Sequence, residues 1–187
     1  LSKSLSSSPQ QVQRFHQEAE AAAKLHHTNI VPVYGVGQQD DFHYYAMQWI
    51  DGIGLEMVIA QLAEDPLHIP ANEKQQQSDI RKRLTDSGSL LHNSYFRNVA
   101  RIAADIADAL AYAHQHEVLQ RDVEPSNILL DASGDAWITD FGLAKLADDK
   151  GLTQTGELIG TLRYMAPEQF DGKVDQRSDV YSLGLTI

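Results

Sequence analysis

Two aspartates and an asparagine stand in short loops of this sequence, and their types suit metal-assisted chemistry. Arg121-Asp122-Val123-Glu124-Pro125-Ser126-Asn127 forms a first motif, Asp140-Phe141-Gly142 a second and Ala166-Pro167-Glu168 a third. Each alone is weak, because so short a match arises by chance. Their order is far more specific. Between the first two, Ile128-Leu129-Leu130 and Ala136-Trp137-Ile138 flank a polar turn that contains Gly134, which predicts a β-hairpin. Aspartate and asparagine side chains offer the oxygen atoms that a hard cation prefers.

The rest of the chain must hold those loops in position. It has 187 residues, 42% hydrophobic and 22% charged, which suits one globular domain or part of a larger one. The formal net charge of −11 argues against a nucleic-acid-binding surface. The absence of cysteine excludes disulfides, thiolate nucleophiles and Cys-ligated zinc, and fits a reducing compartment. The eight histidines show no ligand pattern. No stretch reads as a signal peptide or a membrane span; the longest helical segment, 99–116, is interrupted by Arg101, Asp105 and Asp108. The first residue is Leu1 and the last seven lie inside an apolar run, so the expectation is a piece of a larger domain.

Ser6-Ser7-Ser8-Pro9 reads as a linker and helix start, with Ser8 as N-cap and Pro9 at the first helical position. Phe15, Ala19, Ala22 and Leu25 recur at helical steps and predict a helix over 10–25. Strands are predicted over 29–37, punctuated by Gly35 and Gly37, and over the aromatic-rich 42–50, with Asp40-Asp41 as the turn and Asp51-Gly52 as the close. A short helix is expected over 55–62. Residues 65–93, rich in Gln, Ser, Lys and Asp, read as a mobile polar insertion. Val99, Ile102, Ala103, Ile106, Leu110 and Ala113 trace a helical stripe, and a last helix begins at Tyr181.

Taken together, the three motifs resemble the protein kinase family, over residues 10–187. Ser178-Asp179-Val180-Tyr181-Ser182-Leu183-Gly184 is similar to the start of a central helix of that family. Gly160-Thr161-Leu162-Arg163-Tyr164-Met165-Ala166-Pro167-Glu168-Gln169 resembles its bacterial Ser/Thr subgroup. The polar insertion and Leu152-Thr153-Gln154-Thr155-Gly156 are similar to planctomycete members. The resemblance implies an α+β, bilobal kinase fold in truncated form. Residues 1–50 would be a remnant of the smaller lobe, one helix and two strands, and 51–187 the mainly helical lobe. It implies ATP-dependent phosphorylation of Ser or Thr hydroxyls on protein substrates, with Mg2+, in the cytoplasm, any membrane anchor lying elsewhere in the parent.

The resemblance also implies roles, position by position. Asp122 is the base that orients the substrate hydroxyl, and Asn127 and Asp140 hold magnesium. Glu18 matches the helix glutamate that pairs with a phosphate-binding lysine. Met47 matches the gatekeeper of the adenine pocket, Gln48 and Ile50 present backbone groups to adenine, and Leu129 lies beneath the ring. Arg121 gathers a phosphate on the activation loop, for which Thr153 and Thr155 are candidate sites. Thr161 matches the threonine that marks Ser/Thr specificity.

This sequence departs from the family pattern in two places. Gln120 stands where histidine is usual, which is expected to loosen the packing of Phe141. Glu124 stands where Ser/Thr kinases carry a lysine that reaches the γ-phosphate. No glycine-rich loop or strand-borne lysine precedes Glu18, and the arginine partner of Glu168 is not in the chain. The rival expectation is therefore a pseudokinase, a nucleotide-shaped binding or scaffolding module. Intact Asp122, Asn127 and Asp140 favour the enzyme.

Overall fold

The computed structural model describes residues 9–40, 42–63, 91–141 and 162–187. Helix α1 (Pro9–Ala22) is followed by strands β1 (Val33–Gln39), β2 (Phe42–Met47) and β3 (Gly52–Gly54), then by helices α2 (Leu55–Ala63) and α3 (Leu91–Gln115). A 3-10 turn (Pro125–Asn127) leads into β4 (Ile128–Asp131) and β5 (Ala136–Ile138). A second 3-10 turn (Pro167–Asp171) precedes α4 (Gln176–Thr186). The strands form two antiparallel sheets, β1-β2 and β3-β4-β5.

Helix α1 starts at Pro9, whose fixed φ and missing N–H suit a first helical turn. It buries Phe15, Ala19 and Ala22 and packs on β1. It ends three residues short of the predicted limit, because its last turn tightens to i→i+3 bonds, Lys24 N–H to Ala21 O at 3.2 Å and Leu25 N–H to Ala22 O at 3.0 Å. Leu25 keeps its place in the core all the same.

The strand predicted over 29–37 begins only at Val33. Pro32 has no N–H to give to a ladder. The residues before it turn instead to β5: Ile138 N–H donates to Asn29 O at 2.8 Å and Val31 N–H to Ile138 O at 2.9 Å. The same loop is tied to α3 through His27. Its Nδ1 accepts from Asn29 N–H at 3.1 Å, so its Nε2 carries the proton, 3.2 Å from Asp108 Oδ2. The second strand ends at Met47, and Gly52, expected to close it, opens β3 instead. A side chain at Gly52 would place a Cβ 2.4 Å from Leu130 O, so glycine is what lets β3 pair with β4.

Helix α3 starts at Leu91, well before the apolar stripe, so residues 91–93 belong to a helix and not to the polar insertion. His92, Asn93 and Ser94 hide that start, because an amphipathic signal needs apolar residues. Residues 65–90 of the insertion lie outside the described part. Helix α4 likewise begins before Tyr181. Its signal is a cap: Asp175 accepts from Arg177 N–H at 2.8 Å.

The core lies where α3 meets the three-stranded sheet. Ile102, Ile106, Ala109 and Ala113 pack with Ile128, Leu130, Ala136 and Ile138, and with Leu55 and Val58 of α2. Arg101 closes the outer end, its guanidinium 3.1 Å from Asp135 Oδ1 and 2.8 Å from Gly134 O in the β4-β5 turn. The hairpin is thus held from behind and its open end is left to carry the chemistry-bearing loops.

Candidate active site

The loop before β4 is anchored from below by Asp179, which is 1% exposed. Its Oδ1 accepts from Arg121 N–H at 2.7 Å, and its Oδ2 accepts from Gln120 N–H at 3.0 Å and lies 2.8 Å from His114 Nε2. Arg121 has φ 67°, a left-handed conformation that costs about 1–3 kcal/mol outside glycine and needs such fixing. Gln120 is fully buried, and its amide donates to Thr139 O at 2.8 Å, just ahead of the second motif. Phe141 is itself buried in the core cluster. Gln169 adds a tie from the third motif: its amide accepts from Ala166 N–H at 2.8 Å and donates to Arg121 O at 3.0 Å.

Asn127 joins two of the predicted residues. Its amide nitrogen donates to Asp122, to Oδ2 and to the carbonyl, each at 3.0 Å. Its own carbonyl accepts from Thr139 N–H at 3.0 Å, continuing the ladder that pairs Ile128 with Ile138. The hairpin register therefore sets Asn127 opposite Thr139, with Asp140 one residue further on. Asp140 has φ 59°, and its carboxylate accepts a hydrogen bond from the Tyr45 hydroxyl on β2. Burial first, then that bond and the charge of Asp140, hold the Tyr45 phenol well above its ordinary pKa.

These groups fit magnesium. With its nitrogen spent on Asp122, Asn127 offers its amide oxygen, and Asp140 a carboxylate oxygen, both hard donors. Among the described residues no three His, Asp or Glu cluster as a metal site of their own.

The remaining predicted residues fall into place unevenly. Met47 ends β2 with its sulfur 3.6 Å from the Thr139 hydroxyl, beside the second motif. Gln48 N–H donates to Pro32 O at 2.9 Å; among the described residues neither the Gln48 carbonyl nor the Ile50 N–H has a partner. Leu129 is half-buried on β4 between Gly54 and Trp137. Glu124 turns its carboxylate onto the Ser126 hydroxyl. Glu18 and Arg121, expected to serve a lysine and a phosphate, meet each other: Arg121 Nη1 lies 2.8 Å from Glu18 Oε1, which also takes Arg14 Nε at 3.1 Å. Glu18 Oε2 is buried with no partner among the described residues. Glu168 accepts from the Ser178 hydroxyl at 2.8 Å. Thr153, Thr155 and Thr161 lie outside the described residues, as does Gly142.

Four residues of this network, Tyr45, His114, Gln169 and Asp179, carry no role that sequence motifs assign. Asp179 was legible in principle as an acid at the start of a helix, but which amide groups it holds depends on the fold.

A family model described as "Protein kinase domain" matches residues 1–187. The chain is 32% identical over 177 residues to the serine/threonine-protein kinase PrkC of Bacillus subtilis, covering 94% of this chain and 23% of PrkC. It is 38% identical over 175 residues to the serine/threonine-protein kinase PknD of Mycobacterium tuberculosis, covering 93% of this chain and 22% of PknD. Among solved structures, the kinase domain of M. tuberculosis PknI superposes with a TM-score of 0.64 at 30% identity, covering all of this chain and 57% of that one. The chain thus spans about a quarter of the length of these curated relatives.

Proposed function

The chain belongs to the protein kinase family, and from that premise we propose that its parent transfers the γ-phosphoryl group of ATP to serine or threonine hydroxyls of protein substrates. One observation supports this above the others. Asn127 bridges Asp122 to the hairpin at the point where Asp140 emerges, so a base and two metal-binding oxygens share one rigid frame. Phosphoryl transfer asks the protein for little else than positioning and charge neutralisation.

In this reading Asp122 orients the substrate hydroxyl, and Asn127 and Asp140 hold magnesium, which supplies charge neutralisation on the phosphates when bound. Adenine lies between Met47, Gln48 and Ile50 on one side and Leu129 on the other. Residues 1–50 form what this chain holds of the smaller lobe and 51–187 the larger. Thr161 favours a Ser/Thr acceptor, and Thr153 and Thr155 are sites at which the parent is phosphorylated, with Arg121 as the receiving cation. A net charge of −11 supports protein substrates over nucleic acid. The need for ATP supports a cytoplasmic domain. Among the described residues no helix is long and apolar enough to cross a membrane.

The test is phosphate incorporation into a generic protein substrate by the full-length parent with Mg2+ and ATP. Asp122→Asn is expected to lower the rate by about 10²–10⁴-fold, the usual weight of a positioned acid-base group. A folded wild-type parent that binds nucleotide yet transfers nothing overturns the proposal.

A further inference from the structure

Phosphoryl transfer as proposed above makes no use of Tyr45, yet Tyr45 is the side chain that holds Asp140. Among the described residues no other group donates a hydrogen bond to the Asp140 carboxylate. The phenol stands on β2, half-buried, and its ring lies 6.1 Å from that of Phe15 at 47°. Phe15 is a core residue of α1, so a continuous path of packed groups runs from that helix to the carboxylate. Asp140 sits at φ 59°, a backbone conformation that persists only where its surroundings over-determine it. A carboxylate has two oxygens. With Oδ1 engaged by the phenol, Oδ2 remains for a cation, already oriented.

We propose that Tyr45 is a positioning residue for the magnesium ligand Asp140: its hydroxyl orients the carboxylate, and its ring, backed by Phe15, ties that orientation to the placement of helix α1. The inference rests on the kinase reading and deepens it, by adding a second layer to the metal site. Without the hydroxyl, Asp140 is free to rotate, and the ion has to order it on binding. Loss of a partner that orients a metal ligand typically lowers metal affinity about 10–100-fold. The path through Phe15 further implies that a shift of α1 is felt as a change in metal affinity.

The experiment is calorimetric titration of ADP into the full-length parent, first in chelator and then across a series of Mg2+ concentrations. Tyr45→Phe removes one oxygen atom and keeps the ring against Phe15. It is expected to leave the Mg2+-free Kd for ADP unchanged and to raise the Mg2+ concentration needed for tight ADP binding about tenfold. Phe15→Leu, which keeps the phenol and loosens its backing, is expected to shift the same midpoint in the same direction by less. A wild-type Mg2+ midpoint in Tyr45→Phe overturns the inference. Equal losses of ADP affinity with and without Mg2+ also overturn it, because Tyr45 would then only shape the nucleotide pocket. A wild-type parent that fails to bind ADP with Mg2+ at all overturns the kinase reading instead.

Discussion

Glu124 sets a carboxylate in a loop whose neighbours Asp122, Asn127 and Asp140 would, in the proposed function, serve a triphosphate and its metal. Two unit charges about 4 Å apart interact by roughly 4 kcal/mol at an effective dielectric of 20, so an anion where the family has a cation is costly to transfer. The structure gives the carboxylate a local partner, the Ser126 hydroxyl, which holds it on its own turn. Magnesium offsets part of the repulsion in the bound state, whereas the transition state depends on fixed positive charge. Glu124→Lys in the parent is therefore expected to raise the single-turnover rate at saturating ATP at least about tenfold, equivalent to about 1.4 kcal/mol, with a smaller effect on ATP affinity. Equal rates for the two proteins would mean that this side chain stays away from the phosphate. The ion pair between Arg121 and Glu18 shows a related economy of charge. Two groups with different partners in the family here neutralise each other at 2.8 Å.

At the scale of elements, helix α4 shows how much depends on its first turn. Asp175 caps it, and the Arg177 side chain, then the Arg177 N–H, hold the Asp175 carboxyl below its ordinary 3.8. A carboxyl whose folded pKa is depressed stabilises at pH above its unfolded value and loses that contribution as pH falls through the folded value. Hydrogen exchange at the amides of Arg177 and Ser178 is therefore expected to speed up as pH drops below 3.8, relative to the intrinsic rate. Asp175→Asn should flatten that dependence, because an amide caps without titrating. The carboxylate is about half exposed and its partner Arg177 is exposed, so the effect is small and weakened by salt. Its consequence reaches further than its size, since Asp179, in the first turn of the same helix, holds the amides of Gln120 and Arg121.

For the whole molecule, the decisive quantity is apolar surface left in water. On α4, Val180 is 62%, Tyr181 44% and Leu185 47% exposed. At the other end, Trp49 is 86% exposed beyond β2. Apolar patches of this kind promote association. Among the described residues no lysine reaches Glu18; Arg121 takes that place. The 187-residue chain on its own is therefore expected to transfer phosphate negligibly and to self-associate at micromolar concentration, as sedimentation velocity would register. Combining Val180→Lys with Leu185→Glu should reduce the association. A monodisperse, active chain would contradict both expectations.

The sequence by itself determined the family, the α+β class and the hairpin between the first two motifs, because each depends on local order: short motifs at fixed spacing, and apolar runs on either side of a glycine turn. It also located α1 and the apolar stretch of α3, whose stripes are periodic. It misjudged the limits of β1 at Pro32, the strand at Gly52–Gly54 and the starts of α3 and α4. Those depend on caps, on missing donors and on partners far along the chain. The tertiary structure alone decided which side chains meet. Tyr45 and Asp140 are 95 positions apart, Arg121 and Glu18 are 103 apart, and Gln120 and Asp179 are 59 apart. No local pattern encodes such pairs, because a hydrogen bond acts over about 3 Å and only packing brings distant segments that close.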